Sequence, residues 1–184
     1  DTFLEAISTA RHSIRIINPY FTLCPHLKRA LKEAVARGVD VQVMVSEKSD
    51  IPITPRIVEY NVNKLMRAGV KVYFYQGGFH HSKIMMIDSI YSFIGSANLN
   101  SRSLSFDYEC NLLIADAPTT HQLISLFDRD RDEHSFLLTP ERWKQLPKWN
   151  KFKGWLFHFL TPFVDAQKRR QGIPGMIIID RLYA

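Results

Sequence analysis

Between His80 and Asn98 the chain reads HHSKIMMIDSIYSFIGSAN, and several of these residues are spaced for chemistry. On an extended segment, residues two apart project to the same side. The imidazole of His81 and the ammonium of Lys83 therefore leave the backbone together, while His80 and Ser82 point the other way. Gly95, Ser96 and Asn98 follow at the end of a second apolar run, where a small residue lets backbone approach a ligand. An imidazole, a fixed cation and neutral hydrogen-bonding groups suit displacement at phosphorus: His81 attacks, Lys83 and Asn98 hold the non-bridging oxygens, and Ser96 assists. With a reference pKa of about 6.5, the histidine is mostly free base near neutrality, so this chemistry calls for no metal and no cofactor.

Two carboxylates complete the set. Asp88 lies an odd number of residues after His81 and so faces away from it along a strand; it is expected to organise a turn or an ion pair behind the site. Glu109, on the next strand, is the candidate for orienting His81 and fixing its tautomer. Taken singly, each residue has a bland reading: His80 and His81 as surface or satisfied histidines, Lys83 as solvated, the GSAN stretch as a turn. Jointly they spell H-x-K-x4-D-x6-G-S-x-N from His81 to Asn98. Six fixed residue types would meet this way by chance about once in a hundred million starting positions.

The elements that must position these groups can be read from hydrophobic periodicity. A first helix (DTFLEAISTARH) leads to a strand (SIRIIN), a helix opened by Pro25 and stopped at Gly38, a strand (DVQVMVS), a helix ending at Gly69, and a strand (VKVYFY). KIMMIDS and YSFIGS form a hairpin, YECNLLIAD a further strand, and TTHQLISLFDRDRDEH a helix on the sheet. Strands alternating with helices imply an α/β fold with a mixed, largely parallel sheet flanked by helices. Residues 1–138 form the catalytic domain and 139–184 a basic, aromatic-rich tail.

Composition sets the outer bounds. At 184 residues, 46% apolar and 23% charged, the chain is long enough for a real core and is neither collagen-like, coiled-coil nor disordered. A formal charge of +6 favours anionic partners: nucleic acid, phospholipid headgroups or acidic metabolites. Cys24 and Cys110 lack metal-ligand spacing and read as two buried reduced thiols, which favours a reducing compartment. The apolar stretch Trp155 to Leu160 is too short to span a bilayer, and a chain beginning at Asp1 without a leader reads as a fragment.

The combined motif resembles that of the phospholipase D superfamily, with His81, Lys83, Asp88, Gly95, Ser96 and Asn98 at the family's positions. Continuing through GSANLNSRSLSFDYECNLLI, the chain resembles the second motif region of bacterial cardiolipin synthases, with Arg102, Ser103 and Glu109 at matching places. INPYF, ARGVDVQVMVSEKSD and RAGVKVYFYQGGFHHSK look like the same group, so the resemblance covers roughly residues 1–163. Asn100 departs from it, standing where these enzymes commonly carry an aspartate.

What the resemblance implies is a phospholipase D-like fold and a phosphatidyl transfer: cardiolipin formed from two phosphatidylglycerol molecules through a phosphohistidine. Catalysis falls to His81, Lys83, Asp88 and Glu109, phosphate binding to Ser96 and Asn98, and support to Gly95, Arg102 and Ser103. The family uses two motif copies and this chain has one. The partner is then a second motif-bearing half in the same chain or a homodimer mate. The expected setting is the bacterial cell membrane, with the catalytic domain on the cytoplasmic side. The alternative is a phosphodiesterase or nuclease of the same superfamily acting as a dimer, with nucleic acid as its partner.

Within the tail, Phe152, Leu156, Phe159 and Phe163 repeat at helical spacing with Lys148, Lys151 and Lys153 beside them. Such a stripe either packs on the domain's own core or meets a headgroup interface. The cluster QKRR would add attraction to anionic lipid or is merely solvated. No role is read from residues 171–184.

Overall fold

The computed structural model describes residues 2–22, 24–100, 103–104, 107–168 and 176–179, with side chains described up to Phe159. Its elements are α1 (Thr2–Thr9), β1 (Ser13–Ile17), α2 (Pro25–Ala36), β2 (Asp40–Ser46), α3 (Thr54–Met66), β3 (Lys71–Tyr75), β4 (Ile84–Ile87) and β5 (Tyr91–Gly95). There follow β6 (Glu109–Ala115), α4 (Ala117–His134), β7 (Ser135–Leu137), α5 (Pro140–Gln145), α6 (Lys148–Lys168) and β8 (Met176–Ile179).

The strands build one mixed sheet in the order β7-β3-β2-β1-β4-β5-β6-β8. Pairs β1–β2, β2–β3 and β6–β8 are parallel. Pairs β1–β4, β3–β7, β4–β5 and β5–β6 are antiparallel. The mixed α/β sheet flanked by helices is thus the architecture that strand–helix alternation implies. Its antiparallel half begins where KIMMIDS and YSFIGS turn back on each other, as the short connection between them dictates.

Alternation along the strands assigns each face its helices. Ile14, Ile16, Val41, Val43, Val72, Phe74, Met85 and Phe93 are buried on one face beneath Phe3 and Ile7 of α1, Leu27 and Leu31 of α2, and Val58, Val62 and Leu65 of α3. On the opposite face Ile17, Met44 and Met86 receive Phe127 of α4, with Leu123 and Ile124 beside it. Helix α4 is capped by the Asp116 carboxylate, which accepts the Thr119 N–H at 2.7 Å.

Two details correct the sequence reading. Both cysteines are free, but Cys110 is exposed and Cys24 half-buried, because Cys110 lies on the outward face of β6 near its start. The three-residue β7, which pairs antiparallel with β3, carries no alternation long enough to be recognised in sequence.

Candidate active site

One end of the sheet gathers the chemistry. The registers Ile17↔Ile84, Ile84↔Ile94 and Gly95↔Asn111 align the C-terminal end of β1, the start of β4, the end of β5 and the start of β6 in one row. The residues just outside this row are Asn18 and Tyr20 after β1, Lys83 and His81 before β4, Ser96 after β5, and Glu109 at the first position of β6. The loop after β2, at the same end, carries Asp50.

His81 and Lys83 meet. The Lys83 Nζ is 3.0 Å from His81 Nε2 and donates to the His81 carbonyl oxygen at 2.8 Å. They precede the strand, which starts at Ile84 and not at the histidine; the extended backbone before it keeps both side chains on one side. An ammonium can only donate, so Nε2 is the acceptor and the neutral ring carries its proton on Nδ1. His81 is exposed, with its ring against Phe79 at 5.2 Å and edge-on to Tyr20 at 5.8 Å. Partial burial lowers the Lys83 pKa; the charges of Glu109 and Asp50 oppose that shift without cancelling it.

His80 turns the other way, as strand parity requires. Its Nε2 is 3.4 Å from Asp130 Oδ2 of α4, and Tyr75 packs edge-on to it at 5.0 Å. It is a packed histidine beneath the sheet.

Ser96 and Glu109 form the second pair: the serine hydroxyl donates a short hydrogen bond to the Glu109 carboxylate. Ser96 Oγ also accepts the Cys110 N–H at 3.0 Å, and the Ser96 N–H reaches the Cys110 carbonyl at 3.0 Å. The Glu109 carboxylate, expected beside His81, is thus placed against Ser96, and none of its described hydrogen bonds goes to the imidazole. The two pairs are tied through backbone, since the Gly95 N–H donates to the Lys83 carbonyl at 3.2 Å.

Gly95 serves this strand contact. A methyl group there would collide with the Asn111 side chain and the Cys110 carbonyl, so the glycine lets β5 and β6 close up beneath Ser96. Asn98 is half-buried, and its Oδ1 has no hydrogen-bond partner among the described residues. Ser103 is buried, and its N–H is accepted by Asn100 Oδ1 at 2.8 Å. Asn100 thus caps the turn that follows, a task in which asparagine and aspartate are equivalent, so the departure at this position needs no charge. Arg102 lies outside the described residues.

Asp88 is not brought to the cluster. It lies beyond the far end of β4, roughly 17 Å from Lys83 at strand rise. Asp88 and Ser89 both occupy the left-handed region, with φ of 51° and 59°, and close the β4–β5 hairpin with an Ile90 N–H to Ile87 carbonyl bond of 3.1 Å. The Asp88 carboxylate accepts the N–H groups of Arg11, His12 and Ser13 at 2.8, 2.7 and 2.9 Å. Partial burial would raise its pKa, but these three donors outweigh burial and hold it below the usual carboxylate range. Asp88, grouped by the motif with the catalytic residues, is placed where it fastens the hairpin to the entry of β1, as its parity suggested.

Two further features escaped the motif. Tyr20 donates to Asp50 Oδ1 at 2.5 Å, and its ring faces Phe79, His81 and the Lys83 ammonium. Burial first, then the hydrogen bond and charge of Asp50, push its phenol up to about 12. Beneath the site, Asn111 Oδ1 accepts the Ala97 N–H at 3.3 Å and Asn18 Nδ2 reaches the Ala97 carbonyl at 3.5 Å. Both asparagines are buried. For Asn18 its position at the carboxyl end of β1 was the available signal; Asn111 reaches the GSAN stretch only through the pairing of β5 with β6. Among the described residues no group of three or more His, Cys, Asp or Glu side chains could hold a metal ion.

Residues 3–131 match the family model described as cardiolipin synthase, PLD-like domain. The chain is 38% identical over 162 residues to cardiolipin synthase 1 of Staphylococcus epidermidis, covering 88% of this chain and 33% of that protein. It therefore spans about a third of the length of that curated relative. Among solved structures, Nuc, a phospholipase D family member from Salmonella typhimurium, superposes with a TM-score of 0.64 at 22% identity, covering 74% of this chain and 88% of that one. Phosphatidylserine synthase of Haemophilus influenzae superposes at 0.65 and 17% identity, covering 90% of this chain and 42% of its own. At these identities the two structures show the shared fold.

Proposed function

The chain belongs to the family of cardiolipin synthase, PLD-like domains, and from that premise we propose that it carries one of the two catalytic histidines of a phosphatidyl transfer that makes cardiolipin. The observation that carries this reading is the exposed His81 ring with its Nε2 3.0 Å from the Lys83 ammonium. A nucleophile and a movable cation share one spot at the end of the sheet.

The steps balance as follows. The Nε2 lone pair of His81 attacks the phosphorus of a phosphatidylglycerol, forming a P–N bond and breaking the P–O bond to the headgroup glycerol. A second imidazole, from another motif copy in a longer chain or in a second subunit, protonates the departing glycerol oxygen. A hydroxyl of another phosphatidylglycerol then attacks phosphorus, returns that proton to the second imidazole and releases His81. Lys83, freed from Nε2 as that lone pair bonds phosphorus, turns its donors to the non-bridging oxygens, Asn98 contributes hydrogen bonds there, and Ser96 does so once its single hydroxyl proton turns from the Glu109 carboxylate. Glu109 fixes Ser96, and Gly95 and Ser103 keep the surrounding turns in place.

The test is phosphorus transfer from 32P-labelled phosphatidylglycerol in membranes containing the full-length protein. The reading expects labelled cardiolipin and, on acid-free quenching, a protein adduct labile to acid and stable to base. His81→Asn should abolish both. Cleavage of plasmid DNA without lipid turnover would favour the phosphodiesterase reading instead.

A further inference from the structure

Helix α6 is held to the domain by one face. Gly154 is buried against α3, where a methyl group would meet the Arg56 carbonyl and Tyr60. One turn on, His158 packs against the Tyr60 ring at 5.2 Å. The opposite face is exposed and aromatic. Trp149, Phe152, Trp155 and Phe159 are 62%, 44%, 43% and 57% exposed, and Leu156 lies among them. Their rings form a continuous ladder, with centroids 5.4, 5.8 and 5.3 Å apart in succession. The ten helical steps from Trp149 to Phe159 make this ladder about 15 Å long.

We propose that this ladder is a docking face for an anionic phospholipid surface, with the helix lying in the headgroup plane. Cations border it on both edges. At 100° per residue, Lys153 falls on one side of the stripe and Lys151 on the other, with Lys148 at its start. The Lys153 ammonium lies 5.4 Å from the Trp149 ring centre, and Lys64 of α3 lies 4.3 Å over Tyr60 on the His158 side. Lys28 of α2 belongs to the same edge: burial, then Lys64 and Lys28, lower the His158 pKa. A ladder of rings between rows of lysines is the arrangement that buries apolar surface at the acyl boundary and leaves ammonium groups at phosphate level. A protein partner would require opposing carboxylates for the same lysines; a bilayer of acidic lipid supplies the charge as a continuous plane. No helix among the described residues is long and apolar enough to cross a membrane.

The inference does not depend on His81 being a nucleophile, and its test separates the two. The 184-residue chain carrying Trp143→Phe, which leaves Trp149 and Trp155 as reporters, is mixed with vesicles of phosphatidylglycerol and phosphatidylcholine containing brominated acyl chains. Quenched tryptophan emission and co-sedimentation are expected, weakening with salt and absent with phosphatidylcholine alone. Trp155→Ala with Phe159→Ala should lower partitioning at least about tenfold, and so should Lys148→Gln with Lys153→Gln. Circular dichroism of both variants should match the parent, because the altered side chains lie at the surface. His81→Asn should bind vesicles unchanged. Equal partitioning of the aromatic variant, or equal binding to phosphatidylcholine, would overturn the proposal. So would self-association without lipid that the same substitutions abolish, since the ladder would then be a contact between copies.

Discussion

The Lys83 ammonium spans both ends of His81, 3.0 Å from the ring Nε2 and 2.8 Å from the carbonyl oxygen. One cation therefore fixes the backbone and the ring of the proposed nucleophile while occupying the lone pair that would attack. Lys83→Met should lower the turnover of full-length protein by about a hundred- to a thousandfold, the range for loss of one preorganised oxyanion donor. Its effect on stability should depend on pH. Burial lowers the Lys83 pKa despite Glu109 and Asp50, so the fold disfavours the cation. The unfolded chain binds more protons between the depressed and ordinary values, and the penalty, present at neutral pH, disappears as pH rises through that window. Raising the pH through that window should raise the parent's urea midpoint relative to that of Lys83→Met, which lacks the titrating amine; a constant difference would contradict this account.

Asp88 supplies an acid-sensitive lock. Its pKa is depressed because three backbone donors outweigh the cost of partial burial. For a depressed carboxyl the stabilisation is complete above the ordinary value of about 3.9 and is lost as pH falls through the lower folded value. Asp88→Ala should cost about 1.5–3 kcal/mol at pH 7, the range for hydrogen bonds to a charged acceptor. The difference from the parent should shrink below pH 4 in chemical denaturation. An unchanged difference at low pH would show that the carboxylate charge is not what holds the hairpin.

Tyr20 and Asp50 make the complementary prediction in alkali. With its phenol pushed up to about 12, Tyr20 contributes stability that is full below the unfolded value near 10 and lost as pH rises through 12. Ultraviolet titration of the tyrosines should show one phenol ionising late, and Asp50→Asn should bring it back toward the others. Removal of Asp50 should also lower catalytic efficiency, because the Tyr20 ring that flanks His81 at 5.8 Å loses its anchor. A titration curve identical in the two proteins would refute the link.

Much of this arrangement was legible in the sequence because it follows strand parity. His81 and Lys83 share a side, His80 lies beneath, and Asp88 is behind the site, all from even and odd spacing within one segment. Contacts between segments were not legible. The pairing of Glu109 with Ser96 depends on the register of β5 against β6, which alternation alone does not specify. The aromatic face of α6 shows the same limit. Its period was plain, but only the close approach at Gly154 decides that the other side meets α3 and leaves the rings outside.

That dependence on register yields the last expectation, at Ala97. Asn111 holds its N–H at 3.3 Å and Asn18 its carbonyl at 3.5 Å, so two buried amides from β6 and the end of β1 grip both backbone groups of the one residue between Ser96 and Asn98. Neither asparagine is assigned a contact with substrate; both are positioning residues. Asn111→Leu removes the acceptor for a buried N–H and should cost about 1–3 kcal/mol in chemical denaturation. Asn111→Asp keeps an acceptor at the same point and should recover most of the lost turnover. Because displacement by 1 Å at a reacting centre is worth up to about a hundredfold, the leucine variant should lose activity through kcat, with KM nearly unchanged. A proportional rise in KM at constant kcat, or failure of the aspartate to restore turnover in a protein of parental stability, would remove the Ala97 peptide from the machinery that aligns Ser96 and Asn98.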